Sequence, residues 1–431
     1  LAGEAVAFTA TATGGAGNYD YVWTIDGVVV TNGPDCATFT ITSLMGGPHD
    51  VTCTVTDGTA ATATFSQPGA VKVVIRHGYV SKTGSNTSPY DTWEKAARDV
   101  DQVMALLDPT AAVEVEVGPG IYDLTNSITL LQPTAFHSTA GAGGTFLRPA
   151  AGVCVFAFGS AGCSITGFTL EKLAGSAMAM NVRKPVAVTN LVVRDSVVTT
   201  TPVVLHDGVN IKGLTFESVT NTSGNLIYGG DVTGSKVGTI RNLIMRNCRT
   251  SAQLVSCSYY GILFYNGLII RCKASNIACL RESASISYWR NVTVHDCVSS
   301  GTTFYTSYWS NTYTLRNCVL SNIWTDDTRT VYAPPTDQYC YLYNCAFSGD
   351  QASCGSHVAE NCTDKAGDLQ MRPDGRFKSI SPLLDAGVNE TWMADPVLGT
   401  DLAGFARIRD ESVDIGCYEY QISGATLLLL R

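Results

Sequence analysis

Charge is what this 431-residue sequence has least of: Asp, Glu, Lys and Arg make up 15% of it, and the formal net charge is −9. A supply that thin does not suit a helical protein, and an acidic balance with no basic stripe excludes a nucleic-acid backbone as partner. No apolar run approaches the roughly 18 residues that cross a bilayer as a helix; LLLL at 427–430 is far too short. There is no CxxC pair, HExxH, GxSxG or phosphate loop, and the six His are scattered, so the close ligand spacing of a structural zinc site is missing. The sequence opens LAGEAV without an initiator Met, as a mature or trimmed chain would.

What fills the space is strand-and-turn chemistry. The chain is 45% hydrophobic with 41 Gly, and Thr, Val, Ser, Asn and Tyr abound. Its length favours two or three domains. In residues 1–68, AVAFTATAT, YVWTIDG, TFTIT and VTCTVTDG alternate apolar and polar and are separated by GGAGN, NGPD and GGPHD, which predicts a small β-sandwich. Trp23 then faces the strand carrying Val51, Cys53 and Val55. YVWTIDG and VTCTVTDG resemble the two characteristic strands of PKD-type immunoglobulin-like domains, a likeness that implies a spacer or adhesion module of an extracellular protein. Cys36 and Cys53 are placed to form a disulfide, although such domains generally do without one.

SQPGAV at 66–71 reads as a linker into a second domain spanning 72–364. Near its start, Asp91 as N-cap, Glu94 three residues on, and an apolar face of Trp93, Ala96, Ala97, Val100, Val103, Met104 and Leu107 predict a helix over about 91–108, stopped by Pro109. A helix followed by VEVEVGPGIYDLTNSITL resembles the entry of right-handed parallel β-helix proteins of the pectate-lyase-like superfamily, where the helix covers the open end of the solenoid.

From about 150 to 350 a repeat takes over. VRDS, FES, MRNC, IIRC, VHDC, LRNC and LYNC end at Ser196, Ser218, Cys248, Cys272, Cys297, Cys318 and Cys345, in steps of 22, 30, 24, 25, 21 and 27 residues. A second short strand follows each. This is the cadence of a parallel β-helix, whose coils stack about 4.8 Å apart; a propeller blade needs about 40 residues. The repeated Cys or Ser then forms one interior stack at a corner, where a small, adaptable side chain fits. With 15 Cys, full pairing within the chain is impossible. Cys340, Cys354 and Cys362 lie outside the stack and are the better candidates for a disulfide.

SISPLLDAGVNE and TDLAGFARIRDESVDIGCYEY, in residues 365–431, resemble a C-terminal segment of bacterial secreted β-helix proteins, SPAIDAG then DxxGxxR then VDIGAYE. Ser381, Pro382, Asp385, Ala386, Gly387, Asp401, Gly404, Arg407, Asp414, Ile415, Gly416, Tyr418 and Glu419 match, and Cys417 replaces Ala. The resemblance implies a last coil and C-terminal cap, and export to the bacterial surface or medium. The fold class expected overall is all-β: an Ig-like sandwich, then a right-handed parallel β-helix capped by one helix.

Members of that superfamily include polysaccharide lyases, glycoside hydrolases and inert adhesins, so fold does not choose the reaction. A lyase needs a base beside the proton alpha to a uronate carboxylate and a cation to neutralise that carboxylate. A hydrolase needs two facing carboxyls. In the second strands of the repeat, Arg281 is the candidate carboxylate clamp, Asp231 and Glu282 the acid/base pair, and His206 an alternative base. Tyr228, Tyr305, Tyr308, Trp289 and Trp309 are candidate sugar platforms, with Tyr265, Tyr288 and Trp324 in the same aromatic set. Asp326 and Asp327 could hold Ca²⁺. The expectation is a monomeric exported protein acting on an acidic polysaccharide, with no nucleic-acid partner and no membrane span. A non-catalytic glycan-binding or adhesion scaffold is the alternative.

Overall fold

The computed structural model describes the chain except residues 207, 231–237, 259, 282–285, 307–310, 326–328, 333–339, 349–352, 355–357, 365–368, 397–398, 409–410 and 422–431. At 260–261, 329–332, 348, 353–354, 358 and 363–364 only the backbone is described. The described chain is almost wholly β, and no helix in it is long and apolar enough to cross a membrane. It divides into two compact units: residues 1–120 with 132–139, and residues 121–131 with 140–431.

The first unit begins with small antiparallel sheets. Val6–Thr9 pairs with Thr38–Ile41, and Asp20–Ile25 lies between Val28–Gly33 and Gly47–Thr56, which pairs onward with Thr62–Val73. Trp23 stands opposite Cys53, and its ring meets those of Phe39 and Phe8 at 5.0 and 6.1 Å, so aromatic packing joins the sheets. No disulfide joins Cys36 to Cys53. The stretch read as a linker, 66–71, is instead the body of the Thr62–Val73 strand: Gly69 takes φ 60 and donates its N–H to Asp50 Oδ1 at 2.7 Å, where the register slips between His49 and Val51.

The same unit then turns parallel, with His77–Val80, Val113–Val117 and Thr134–Ser138 side by side. The predicted helix over 91–108 shrinks to Val100–Met104, preceded by Asp99 as N-cap rather than Asp91. The reason is competition for backbone hydrogen bonds. Glu94, Lys95 and Ala96 give their carbonyls to Ser85, Thr87 and Asn86, and Ala97 exchanges bonds with Tyr79 and Ser81. Extended pairing overrides the helical periodicity.

The second unit is a parallel β-solenoid. One strand per coil builds a ten-stranded sheet running from Ile128–Leu130 through Val203–Leu205, Ile227–Gly229, Gln253–Cys257 and Asn276–Leu280 to Ser353–Cys354. The remaining strands bend twice per coil without losing their pairing. At the first bend Gly167, Asn190, Gly213, Asn242, Asn266, Asn291, Asn317, Asn344 and Asn361 stack; at the second, Lys172, Asp195, Ser218, Asn247, Arg271, Asp296 and Asn322. All have positive φ, between 48 and 80. Asn and Gly adopt this left-handed turn at least cost, which explains why the first bends are written in them.

The Cys and Ser phrases follow from these bends. The residue after a bend points inward, and its thiol or hydroxyl donates to the carbonyl two residues back. Ser196 Oγ reaches Arg194 O at 2.7 Å, Cys248 reaches Arg246 O at 3.3 Å, and Cys318 reaches Arg316 O at 3.3 Å. The single stack read from sequence is two. Cys248, Cys272 and Cys297 follow the second bend, whereas Cys318, Cys345 and Cys362 follow the first: Arg290 pairs with Arg316 and Thr293 with Val319, so Cys318 stands beside Val292, and Cys297 pairs with Ile323. The phrase FES also shifts by one, since Ser218 forms the bend and Val219 pairs with Ser196. No disulfide joins Cys340 to Cys362, and the side chain of Cys354 lies outside the described residues.

The segment after residue 369 adds no coil among the described residues. It lies as a strap along the flank of coils already built, so the expected terminal cap is corrected to a lateral one. Leu369, Phe377, Leu383 and Ile415 bury against Val319 and Ala346, and Cys417 and Tyr418 against Leu268 and Ile270. The matched motif is the lock. Arg407, wholly buried, pairs with Glu419 Oε1 at 2.7 Å and donates to Asn266 Oδ1 at 2.7 and 3.0 Å. Asp401 accepts from the backbone of Ala403, Phe405 and Glu419, and Asp414 from that of Asp385 and Tyr420.

The guanidinium thus pairs directly with Glu419, while Asp401 and Asp414 are held by backbone N–H groups. Arg407→Ala breaks this buried pair and should cost about 3–5 kcal/mol in urea unfolding. Burial pushes the Glu419 carboxyl up to about 8 from 4.5, although Arg407 pulls the other way. Over that range the folded chain holds a proton that the unfolded chain has lost. Stability should therefore fall as pH rises from about 5 to 8, and Glu419→Gln should flatten that slope in melts recorded across the range.

Candidate functional site

The residue just before each first bend is forced outward, because its neighbour two positions on fills the interior. In the parallel register these outward residues form one row: Thr189, Lys212, Arg241, Tyr265, Arg290, Arg316, Tyr343 and Glu360. Four of the eight are cations, in a chain of net charge −9. Successive members are spaced by the coil rise of about 4.8 Å, comparable with the repeat of one sugar in an extended glycan.

The side chains interleave. The Arg241 guanidinium lies 4.1 Å from the Tyr265 ring centre and 5.8 Å from that of Trp392. Arg290 lies 5.4 Å from Tyr265 and 5.9 Å from Tyr288, and Arg316 4.6 Å from Tyr343. Tyr341 and Tyr343 stack nearly parallel, at 5° and 6.4 Å. These contacts place the guanidinium groups within cation–π reach of the aromatic rings.

The strap completes the row from the side. Asn317, itself a bend residue, bonds Val388 twice, Nδ2 to O at 2.9 Å and Oδ1 from N at 3.0 Å. The one-turn helix Thr391–Ala394 then carries Trp392 to the edge of Tyr265, 5.1 Å away. Glu390 sits between Arg290 and Arg316 at 3.5 Å from each and accepts from Trp392 Nε1 at 2.7 Å. One carboxylate so engaged is a counter-ion, not a poised base. Burial lowers the pKa of Arg241 from 12.5, and its Nη1 is buried without a hydrogen-bond partner among the described residues. The face thus carries more positive charge than its own acids offset, and is chemically suited to carboxylate or sulfate groups on a ring that stacks on Tyr or Trp.

The sequence-predicted residues lie elsewhere, along the ten-stranded sheet. His206, Gly230, Ser258 and Arg281 follow strands paired in register, so His206 and Arg281 are three coils apart, roughly 14 Å by the coil rise. Arg281 is exposed and donates to Gln253 Oε1 at 2.7 Å. Tyr228 and Tyr305 are half-buried and share a row with Ser256 and Cys279 between them; Tyr228 donates to Ser258 Oγ at 3.1 Å. Trp289 is a correction. It is 1% exposed, points into the solenoid, and packs on Phe264 and Phe304 at 4.5 and 5.0 Å, so it cannot stack on a sugar. Asp231, Glu282, Tyr308, Trp309, Asp326 and Asp327 lie outside the described residues.

The arginine row escaped sequence reading because its members are coils apart in the chain. The available signal was a dipeptide: RN at 241, 290 and 316, and YN at 265 and 343. An Arg or Tyr directly before a first-bend Asn marks the outward row, whereas the RN at 246 belongs to the second bend.

No protein-family model matches the chain, and no curated protein does. Ten solved chains match its structure. Pectate lyase Pel9A is similar at 11% identity and a TM-score of 0.41, over 81% of this chain and 97% of that one. A family 28 exopolygalacturonase of Yersinia enterocolitica is similar at 10% identity and a TM-score of 0.32, over 84% and 93%. The catalytic domain of a GH87 α-1,3-glucanase, in complex with nigerose, is similar at 12% identity and a TM-score of 0.27, over 84% and 90%. The parallel solenoid thus has structural neighbours among pectate lyases and glycoside hydrolases.

The internal counter-ion can be removed. Glu390→Gln should tighten binding of sulfate or glucuronate about tenfold, roughly 1.4 kcal/mol. Calorimetric titration at low salt reads this directly, and an unchanged affinity would place anion binding away from Arg290 and Arg316.

Proposed function

We propose that this is an exported carbohydrate-active protein that holds an acidic polysaccharide along the Lys212–Arg241–Arg290–Arg316 row. The single observation carrying this reading is the stack of cations interleaved with Tyr265 and Tyr343 on successive coils. A polyanion with one charge per sugar can engage several of them at once, while the rings stack on its apolar faces. In this reading the solenoid is right-handed, the hand that parallel crossovers almost always take. The N-terminal sheets act as a PKD-like spacer, and the likeness of the C-terminal segment to that of secreted β-helix proteins supports export.

The chemistry proposed is lyase or hydrolase action, with Arg281 as carboxylate clamp and Asp231 and Glu282 as acid and base. The three-coil separation of His206 from Arg281 argues that they serve different sugars, so Glu282, next to Arg281 in sequence, is the better partner for it. The second reading, a non-catalytic glycan-binding scaffold, is favoured by Glu390: it accepts from Trp392 Nε1 and Arg316 Nη1 and is ion-paired with Arg290, so it is engaged as a counter-ion.

A polysaccharide panel separates the two. Lyase action on uronates gives an unsaturated, ultraviolet-absorbing product and hydrolysis gives new reducing ends; binding with neither supports the scaffold. Arg281→Ala should abolish turnover while leaving the fold intact. Arg290→Gln with Arg316→Gln should weaken acidic-glycan binding by roughly ten- to a hundredfold and flatten its salt dependence, with neutral glycans unaffected. Equal loss for neutral and acidic glycans would refute the charge-based reading.

A further inference from the structure

Two of the six His, far apart in sequence, meet in the first unit. His77–Val80, Val113–Val117 and Thr134–Ser138 lie parallel in register, with His77 opposite Glu114, and Tyr79 opposite Glu116, which is opposite His137. Side chains two apart on a strand share a face, so His77, Glu114, Glu116 and His137 converge on one side of these strands. His77 Nε2 is 2.8 Å from Glu116 Oε1 and 3.9 Å from Glu114 Oε2, and His137 Nδ1 is 3.6 Å from Glu114 Oε1. One ligand atom each from His77, Glu114 and Glu116 lies within 4.8 Å of the others.

We propose that these four residues form a binding site for one divalent first-row transition-metal ion, Zn²⁺ foremost. Zinc bound to imidazole nitrogen and carboxylate oxygen at about 2.0–2.1 Å has ligand atoms roughly 3.3 Å apart. The ligand atoms of His77, Glu114 and Glu116 already lie within 4.8 Å of one another, and His137, 3.6 Å from Glu114 Oε1, would complete the set by side-chain rotation. Two neutral imidazoles and two carboxylates match the ion's charge and its nitrogen–oxygen preference, while the nitrogens disfavour Ca²⁺ and Mg²⁺. To bind the ion, neutral His77 carries its hydrogen on Nδ1, where the Tyr79 oxygen accepts it, and the Nε2 lone pair is left free for the metal.

The surroundings fit a ligand shell as well. The Tyr79 hydroxyl lies 3.4 Å from His77 Nδ1, and its ring stacks on the imidazole at 4.5 Å and 23°. Trp93 backs Tyr79 at 4.9 Å. This arrangement turns Nε2 toward the carboxylates, as outer partners of metal-bound His do. An ordinary surface ion pair would not need its imidazole oriented through the second nitrogen.

The test uses the whole chain, stripped with chelator and titrated with ZnCl₂ by calorimetry and with CoCl₂ by visible spectroscopy. One ion per chain is expected, with Co²⁺ ligand-field bands and no thiolate-to-metal charge-transfer band. Glu114→Gln and His137→Gln should each weaken binding by on the order of tenfold or more, with the metal-free melting temperature and circular dichroism unchanged. Two separate variants guard against one failing to fold. Absence of saturable binding, binding indifferent to both substitutions, or a thiolate band that survives them would overturn the site.

Discussion

A chain that must bend twice per coil while keeping every strand paired can do so only through residues that tolerate the left-handed conformation. Each ordinary L-residue there costs roughly 1–2 kcal/mol; Asn and Gly cost least. The solenoid meets this constraint with Asn at most of its first bends, and the rest follows. A fixed bend fixes the inward residue after it, whose thiol or hydroxyl satisfies a corner carbonyl. It equally fixes the outward residue before it. Register is thereby pinned coil after coil, and side chains some 24 to 29 residues apart in the chain, such as Arg241, Tyr265 and Arg290, become neighbours.

Scarce charge makes the placement of each charged group telling. On the early coils Arg148, Glu171 and Arg194 stack in register, with Glu171 taking a guanidinium on each oxygen at 2.6 and 2.7 Å. Burial pushes the Glu171 carboxyl up, but the bonds from Arg194 and Arg148 more than offset this and hold it below its ordinary value. In the strap, Arg407 pairs with Glu419 at 2.7 Å, while backbone N–H groups answer Asp401 and Asp414. On the arginine row the pairing is looser: Glu390 stands 3.5 Å from each of two arginines, and Arg241 carries a buried nitrogen that meets no described acceptor.

The architecture was legible because it is periodic. Alternation gave the strands, and spacing gave the coils. What misled was local pattern without three-dimensional register. Cys297 and Cys318 look like consecutive members of one series, yet they occupy different bends. Trp289 looks like one more surface aromatic, yet strand alternation turns it inward while Arg290 faces out. Trp93 to Leu107 carry a helical apolar period, yet the backbone from Glu94 to Ala97 is claimed by neighbouring segments. Each error has the same source: the sequence fixes which residues can bend or pair, while partners in space decide which do.

The C-terminal strap joins the stability of the fold to its candidate site. Its motif acids and Arg407, which by composition resemble a catalytic cluster, are buried and saturated with backbone and guanidinium bonds, so they act as a clasp on Asn266. Between the motif halves runs Val388 to Asp395, anchored on Asn317 and bearing the two side chains, Glu390 and Trp392, that reach the arginine row. The two anchors are residues of the same Asn ladder, two coils apart, and Asn291 between them is fully buried with its amide unpartnered among the described residues. The ladder that turns the chain is therefore also the rail on which the strap is hung. A change at a bend Asn would loosen the strap and displace Glu390 and Trp392 together, so the shape of the solenoid and the geometry of its candidate site share one set of residues.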